Sequence, residues 1–535
     1  MKRNSFSHIK KTLLPCIGLS ALCGAFTGAL IFLFKLVSGK VIELSETIYG
    51  FVRGDIRLLP LAVIAAAAIG LFAALLLHIE PNSRGGGIPT AVAEIRGLFE
   101  FRWLRSILMI FPSAMLTYFC GVPLGNEGPS VQMGCALGRG TASVFGEKAR
   151  PFDRYIMTGG ACAGFAAATG APLSGILFAI EEAHRKYSPM LFVTSSVSVM
   201  ASMATSAVFE HFTGVKTALF DFRITASLPI SSVWAALICG ILCGAFAIVF
   251  TRLYRYAGHF LSDKLSAIPL GVKTAVIFAV CAVSGYFVIS SAGSGHSLVE
   301  GILESHITWY ALAGILVLRV LLLIFANNAG VTGGLFLPIL AIGAIVGSLS
   351  AKALIGMGLL SSEYYAVTAA LGMVAFMSAS SRTPVMAIAF GAEAILGASA
   401  LFPTVIAAAA AYLTVELSGE VAFSDTVIEK KTASERRGKK CEIVDAFLEV
   451  KEGCFAEGYE LRDLLLPPMC VVLSVRRRED LGLTSVLGGG DVLHVRYQTF
   501  DPEYTAKKLC ELFGAQTDTR ENSFPGSGRH SVPEM

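Results

Sequence analysis

Long apolar runs separated by short polar segments dominate most of the chain. The runs 61–77, 235–250, 275–289 and 311–326 together contain a single charged residue, Arg319. A helix needs roughly 20 predominantly apolar residues to cross the hydrocarbon core of a bilayer, and these runs approach that length. The pattern therefore predicts an all-α, polytopic membrane protein.

The character of the sequence changes after residue 428, which divides the chain into four zones. Residues 1–428 form the predicted transmembrane domain, 429–440 a charged linker, 441–515 a soluble domain, and 516–535 a polar tail that we expect to be disordered. The soluble zone alternates apolar and polar residues in short runs, which is typical of strands. We therefore predict a small α+β domain with strands at 442–450, 470–476 and 491–497 and a helix at 502–512.

Composition and charge support a membrane protein and indicate its orientation. Only 15% of the residues are charged, whereas a soluble domain carries about 25%. Basic residues are concentrated in segments 1–11 and 430–440, next to apolar runs, and such segments face the cytoplasm. We expect a multi-pass protein of the cell membrane with both ends in the cytoplasm. Nucleic acid is not expected as a partner, because the membrane explains both basic segments.

Residues that commonly bind metals or catalyse reactions show no site-forming pattern. The 12 cysteines are scattered, without a Cys-x-x-Cys pair or a Cys/His cluster. Many lie inside apolar runs and resemble small buried hydrophobic residues. No nucleophile–base pair is apparent, so we predict neither a cofactor nor an enzymatic activity.

The transmembrane part contains an internal repeat. Segment 125–129, Gly-Asn-Glu-Gly-Pro, is followed by Pro172, which lies 43 positions after the proline of that segment. Segment 334–338, Gly-Leu-Phe-Leu-Pro, is followed by Pro384 after 46 positions, and each second proline precedes an acidic residue by nine positions. Such a repeat is typical of transporters built from two inverted halves, although the sequence alone does not show the inversion.

Three Gly/Pro segments interrupt the apolar sequence, at 85–89, 125–129 and 334–338. They are either ordinary loops or breaks between half-helices. Unwound backbone at membrane depth is tolerated only where it lines a cavity or is packed in protein. The N-terminus of a half-helix offers free N–H groups and a partial positive charge, which favour an anion.

Together these segments resemble the anion-pathway motifs of the CLC family of chloride channels and transporters. The sequence has Gly-Gly-Gly-Ile-Pro at 85–89, Gly-Asn-Glu-Gly-Pro at 125–129, Gly-Ile-Leu-Phe-Ala-Ile-Glu-Glu at 175–182 and Gly-Leu-Phe-Leu-Pro at 334–338, in the order of the family. The resemblance implies a CLC-type inverted-repeat fold with broken helices. It also implies a homodimer in which each subunit exchanges chloride or a similar monovalent anion for protons.

The resemblance assigns the proton chemistry to two acids. Glu127 is the implied gating residue: its carboxylate is itself an anion that competes with a halide, and protonation removes that attraction. Glu182 is the implied inner proton-transfer residue, with its neighbour Glu181 as the competing candidate. A salt bridge between Glu182 and Arg185 is the alternative, purely structural interpretation.

The resemblance also implies that the anion contacts Gly86, Gly87, Ile88, Leu335, Phe336 and Phe423. Three positions depart from the family. Gly86 replaces a serine, Asn126 replaces Arg or Lys, and Phe423 replaces a tyrosine, or Ser424 does so if no gap is allowed. These departures leave the anion open, since nitrate-preferring and fluoride-exporting branches also differ at the serine. The remaining alternatives are a passive chloride channel, a fluoride/proton exchanger, and a sensor whose C-terminal domain is the working part.

The soluble zone 441–515 resembles the TrkA-C lobe of potassium-uptake regulators. It has a strand, then Leu-Arg-Asp-Leu at 461–464, then a strand that begins after three glycines at 488–490. The resemblance implies a lobe that dimerises and can bind a small regulatory ligand. A structural dimerisation domain without a ligand is the alternative.

Overall fold

The protein is described here from a computed structural model. It covers residues 2–514, apart from 147–148, 221, 223, 225–226, 265–266, 289–290, 305–306, 437–439 and 478–485, and also residues 530–531. Most of these residues are helical. The helices of the first part of the chain are α1 (Lys2–Gly54), α2 (Leu59–Ile79), α3 (Ile88–Ile95), α4 (Trp103–Phe119), α5 (Glu127–Val144), α6 (Asp153–Thr169), α7 (Pro172–Phe178), α8 (Pro189–Thr213), α9 (Trp234–Asp263), α10 (Leu270–Phe287), α11 (His296–Leu303), α12 (Trp309–Asn328), α13 (Phe336–Gly356), α14 (Tyr365–Ser381), α15 (Pro384–Phe390), α16 (Leu401–Ser418) and α17 (Phe423–Arg436).

The helices confirm the predicted polytopic architecture. Within the described part of the chain, nine helical segments are long and apolar enough to cross a membrane. Three of the four runs singled out from the sequence lie in α2, α9 and α12, and the fourth lies in α10 as far as Phe287. The segments differ in burial: 83% of the apolar window in Ser362–Ser381 is buried, against 22% in Ile56–Ile79. The first therefore lies inside the protein, whereas the second presents apolar side chains outward, as a lipid-facing helix does.

Glycine pairs bring the helices that carry the site into close contact. A side chain at Gly134 on α5 would come within 2.1 Å of the carbonyl oxygen of Gly160 on α6, and the reverse substitution would come within 2.2 Å. Small residues that let two backbones approach in this way are typical of helix packing in membranes. This contact fixes α5, and with it Glu127, the first residue of α5, against α6.

The two repeats cap each other's helices. α7 and α15 each start at the second proline of a repeat and end in one turn of π-helix, Ala179–Ala183 and Gly391–Ile395. The carboxylate of Glu181 accepts hydrogen bonds from two backbone N–H groups in the first turn of α15, at 3.0 and 2.6 Å. Glu393 does the same for α7, at 2.7 and 2.9 Å. The exchange is reciprocal, as expected for halves related by a two-fold axis.

Arg319 and most of the cysteines are buried among the helices. Arg319 on α12 is buried, and its guanidinium donates a hydrogen bond to the carbonyl of Gly293 at 3.1 Å. All twelve cysteines are free, and the eight between Cys16 and Cys281 are buried. Burial as small hydrophobic residues is what their scattered positions predicted.

The C-terminal part contains a sheet and a helix, close to the predicted positions. Its elements are β1 (Glu442–Glu449), β2 (Cys470–Arg476), β3 (Val492–Thr499), α18 (Pro502–Phe513) and β4 (His530–Ser531). The strands are antiparallel in the order β2-β3-β1-β4. The predicted linker is helical as far as Arg436, because α17 continues into it. The predicted disordered tail lies outside the described residues, apart from β4.

This C-terminal part packs directly against the helical body. The guanidinium of Arg154 at the start of α6 donates to the carbonyls of Leu465 and Leu466, at 2.7 and 2.6 Å. Lys186, in the loop before α8, donates to the carbonyl of Leu464 at 2.7 Å. Since Lys186 follows the π-turn that carries Glu182 by only three residues, the C-terminal part is anchored next to one of the two predicted proton-transfer acids.

Candidate functional site

The three breaks predicted to line an anion pathway meet at one place. Gly125 and Gly334 form an antiparallel backbone pair with hydrogen bonds of 2.8 and 2.6 Å. The Gly85 N–H donates to the carbonyl of Gly330 at 3.3 Å, and its carbonyl accepts from Gly333 at 3.4 Å. Segments that are some 40 to 250 residues apart in sequence therefore form one backbone cluster.

Glycine is required where these segments touch. Gly87 has a φ of +63°, which L-residues rarely adopt. A side chain there would come within 2.2 Å of the backbone of Gly128, and one at Gly128 would come within 2.6 Å of the Cα of Gly334. The motif glycines therefore allow three backbones to approach around a common point.

Three helices begin at this cluster. α3 starts at Ile88, α5 at Glu127 and α13 at Phe336, and none of the preceding residues caps its helix with a side chain. The first N–H groups of a helix have no intrahelical acceptor and carry a partial positive charge. The predicted anion contacts Gly87, Ile88, Leu335 and Phe336 all lie at these helix starts, so the structure does bring this part of the predicted set together.

Glu127 lies at the point where the helix starts converge. Its side chain is fully buried, and neither carboxylate oxygen meets the geometry of a hydrogen bond. Leu337, in the first turn of α13, lies beside the same spot, because a Cβ at Gly125 would be 3.4 Å from its Cβ. A Cβ at Gly125 would stand 2.3 Å from the carboxylate, so the acid is packed tightly against that backbone. A carboxylate here occupies a place suited to an anion.

A positive charge near Glu127 was missed from the sequence. Position 126, where the family has Arg or Lys, is the neutral Asn126. Lys35 on α1 instead lies near enough to interact electrostatically with the Glu127 carboxylate, and its ammonium donates to the carbonyl of Thr217. The signal was present, because a lysine inside the apolar run of α1 is costly unless it has a function or a partner.

Glu182 differs from its neighbour Glu181 in what its carboxylate does. Glu181 caps α15, whereas the buried Glu182 carboxylate forms no hydrogen bond or ion pair with the described residues. Arg96 holds only the backbone of this turn, donating to the carbonyls of Glu182 and Ala183 at 2.8 Å each. The local structure therefore fixes the position of Glu182 and leaves its carboxylate unengaged.

The alternative salt bridge between Glu182 and Arg185 is not formed. Arg185 pairs instead with Asp425 at 2.7 Å, and Asp425 also lies 3.7 Å from Arg96. Two arginines and one aspartate thus surround the Glu182 turn. Asp425 belongs to the first turn of α17, two residues after Phe423, so the same helix start contributes to both predicted sites.

A cluster of phenylalanines connects the first turn of α13 with α7. Phe165 on α6 packs edge-on against Phe336, with ring centroids 5.0 Å apart, and stacks on Phe178 at 6.1 Å. Phe336 also contacts Phe390 at 5.1 Å. Since Phe336 precedes Leu337 beside Glu127, and Phe178 is one turn before Glu182, an apolar cluster joins the surroundings of the two acids.

The two departures at Gly86 and Phe423 have different structural consequences. The side chain of Leu335 fills the space beside Gly86, where an added Cβ would meet its Cδ1 at 2.7 Å. Phe423 is buried and packs edge-on against Tyr254, with ring centroids 4.8 Å apart. The hydroxyl of the neighbouring Ser424 is buried and forms no hydrogen bond with the described residues.

A second charged network, also missed from the sequence, links the pathway helices to the C-terminal part. Glu94 on α3 is buried and pairs with Arg139 on α5 at 2.8 Å. Arg139 also pairs with Glu100, which accepts a hydrogen bond from the hydroxyl of Tyr504 at 3.0 Å. Burial alone raises the pKa of Glu100, but the charge and hydrogen bond of Arg139, the Tyr504 hydroxyl and the charge of Lys508 together hold that pKa below its ordinary value.

The fold and the site define a class: a membrane transport protein with two repeated halves, whose broken helices start at a shared ion site. The chain matches the model of the voltage gated chloride channel family over residues 65–416. Because that match spans well over half of its length, the chain belongs to this family.

Similar proteins agree with this assignment. The H(+)/Cl(-) exchange transporter ClcA of Cronobacter sakazakii is 29% identical over 385 residues, which cover 70% of this chain and 80% of the relative. The ClcA protein of Salmonella typhi is 28% identical over 439 residues, or 79% of this chain and 90% of the relative. The solved structure of a slow cyanobacterial Cl-/H+ antiporter has a TM-score of 0.70 over 79% of this chain and 99% of its own, at 22% identity, and shows the shared fold.

Proposed function

We propose that this chain exchanges chloride or a related halide for protons across the cell membrane. The observation that carries the proposal is the buried, unbonded carboxylate of Glu127 among three converging helix starts. An intramembrane acid of this kind is a functional residue by default. The relatives named as H(+)/Cl(-) exchange transporters support the choice of ions.

Anion/proton exchange follows from competition between the anion and the Glu127 carboxylate for one site. Two unit charges about 4 Å apart repel by roughly 4 kcal/mol at an effective dielectric constant of 20. Such a penalty lowers binding by about a factor of 1,000, since about 1.4 kcal/mol is tenfold. An anion therefore enters the place of the Glu127 carboxylate only after that carboxylate is protonated or displaced, and this links anion movement to proton movement.

Glu182 supplies protons from the cytoplasmic side. Its carboxylate is free to bind a proton, because Arg96 holds the backbone and Arg185 is paired with Asp425. The phenylalanine cluster between the two acids contains no titratable group, so its side chains do not relay the proton, which passes between Glu182 and Glu127 by a route separate from that of the anion. Glu181, which caps α15, is not the proton carrier.

The anion is held mainly by backbone N–H groups. Gly87 contributes from the start of α3, and Leu335 and Phe336 from the start of α13. The N–H of Ile88, the other predicted contact on α3, donates to the carbonyl of Gly86 at 2.6 Å, so the anion would have to compete with that bond for it. Gly86 offers no side-chain donor, and Phe423 offers a ring without a hydroxyl. The proposed site is thus poorer in side-chain donors than a serine/tyrosine site, which bears on which anion it prefers.

The assembly and the C-terminal domain complete the proposal. The protein is a homodimer with one pathway per subunit and with both ends in the cytoplasm, so that the basic end of α17 and the docked sheet lie on the side from which Glu182 takes protons. The C-terminal domain is a TrkA-C-like regulatory lobe. Measuring the binding of candidate small ligands to the purified chain distinguishes a ligand-binding domain from one that only dimerises.

Transport by purified protein in liposomes tests the proposal. Chloride, nitrate and fluoride gradients are applied in turn while internal pH is followed. Chloride entry against proton exit supports a chloride/proton exchanger, and a response to fluoride alone supports a fluoride/proton exchanger instead. Chloride flux without proton movement in wild type would identify a passive channel and end the proposal.

A further inference from the structure

One buried N–H donor next to the anion pathway has no hydrogen-bond partner among the described residues. The side-chain amide of Asn327, on the last turn of α12, is 7% exposed, and its Nδ2 forms no hydrogen bond. We propose that this amide donates a hydrogen bond to the transported anion, in place of the hydroxyl that is absent at Gly86. The inference rests on the proposed anion exchange and names a residue that determines its specificity.

The amide stands beside the departure at Gly86. A Cβ built at Gly86 would lie 3.4 Å from Asn327 Nδ2 and 2.7 Å from the Cδ1 of Leu335. A hydroxyl on such a Cβ would therefore project into the volume that these two side chains share. Asn327 thus places an N–H donor where position 86 carries none, close to Gly86 and to the side chain of Leu335, the residue that precedes α13.

Tyr254 orients the amide. Its hydroxyl donates to Asn327 Oδ1 at 3.4 Å, which fixes the oxygen on the side of α9 and leaves Nδ2 to face away. Tyr254 is itself buried and held by the edge-on contact with Phe423. The ring at Phe423 therefore acts indirectly, by supporting the tyrosine that orients the asparagine.

The ligand class follows from the donor. A buried amide N–H without an acceptor is unfavourable, so the site favours a ligand that accepts a hydrogen bond. The neighbouring apolar side chains of Leu335 and Phe423 leave room for few polar contacts. A neutral donor beside the positive helix starts suits a small monovalent anion such as chloride or nitrate, because it stabilises the charge without neutralising it.

Calorimetric titration of the purified full-length chain with sodium chloride tests the assignment. Asn327→Leu removes the donor, and we expect chloride binding to weaken by about tenfold. Asn327→Asp keeps the shape and turns the donor into a negative acceptor, so binding should weaken further. Tyr254→Phe removes only the hydroxyl that orients the Asn327 amide, so it should weaken chloride binding a few-fold.

Asn328 is the matched control. Its amide is satisfied, because Nδ2 donates to the carbonyl of Ile324 and Oδ1 accepts from Lys430. Asn328→Leu should bind chloride like wild type. Wild-type affinity in both Asn327 variants overturns the assignment and means that water satisfies the amide, and the nearly isosteric Asn327→Asp decides the matter if Asn327→Leu does not fold. Proton-coupled flux of wild type is recorded in parallel: if wild type neither binds nor transports an anion, the proposed function itself has failed.

Discussion

The two repeats use the same backbone and different chemistry. Segments 125–129 and 334–338 both begin with a glycine that pairs with its counterpart, and both start a helix at their third residue. That residue is Glu127 in the first repeat and Phe336 in the second. The scaffold of the ion site is therefore symmetric, but only one half contributes a side chain that binds and releases a proton.

The same asymmetry appears at the other end of each repeat. Glu181 and Glu393 are equivalent and cap each other's repeat, whereas the residue that follows is Glu182 in one half and Ala394 in the other. Acids shared by both halves hold the structure together. Glu127 and Glu182, the motif acids without a counterpart in the second half, form no hydrogen bond or ion pair with the described residues, and this difference separates structural from functional carboxylates in the repeats.

The largest effect is expected from replacing Glu182, the acid that has no counterpart in the second repeat. We expect Glu182→Ala to stop proton movement, because no other unengaged carboxylate occupies that turn, while anion flux persists. Flux and internal pH are measured together in liposomes. Survival of coupling in Glu182→Ala, with its loss in Glu181→Gln, would mean that the capping acid carries the proton.

The shared acids should affect stability equally. Glu181→Gln and Glu393→Gln each weaken charge-assisted caps on two backbone N–H groups, and each should lower the free energy of unfolding by about 1 kcal/mol. Thermal unfolding of the purified variants checks this, with Glu304→Gln, an exposed glutamate, as the control. A large loss in only one of the two variants would contradict the symmetry.

The smallest effect on transport is expected from deleting the C-terminal domain. It contacts the helical body through Arg154, Lys186 and the hydrogen bond from Tyr504 to Glu100, and none of these residues lies at the helix starts of the ion site. Removing residues after 440 should leave anion preference and proton coupling unchanged in protein that still folds. A shifted preference among chloride, nitrate and fluoride in the same liposome assay would show that the domain shapes the pathway.

The sequence predicted local features well. Glycines and prolines inside apolar runs located all three helix breaks, and alternation located β1, β2 and β3 within about two residues. The linker was less accurate, since a charged composition does not by itself end a helix and α17 continues to Arg436.

Features that depend on distant contacts could not be predicted. Glu181 meets its capped helix 204 residues further along the chain, so nothing in the local sequence separates it from Glu182. The same holds for Asn327, whose relation to Gly86 exists only after α12 packs beside the first helix break. Lys35 is an intermediate case. Its charge inside an apolar run is visible in the sequence, but only the folded structure shows that it lies near Glu127.

Anion-driven proton transport by Glu127→Gln tests the central claim most directly. A glutamine keeps the size of the side chain but can neither lose a proton nor compete as an anion. In liposomes with an imposed chloride gradient, wild type should move protons against their own gradient. The variant should pass chloride and move no protons. Normal proton pumping by Glu127→Gln would contradict the account, since the linked ion would then not depend on this carboxylate.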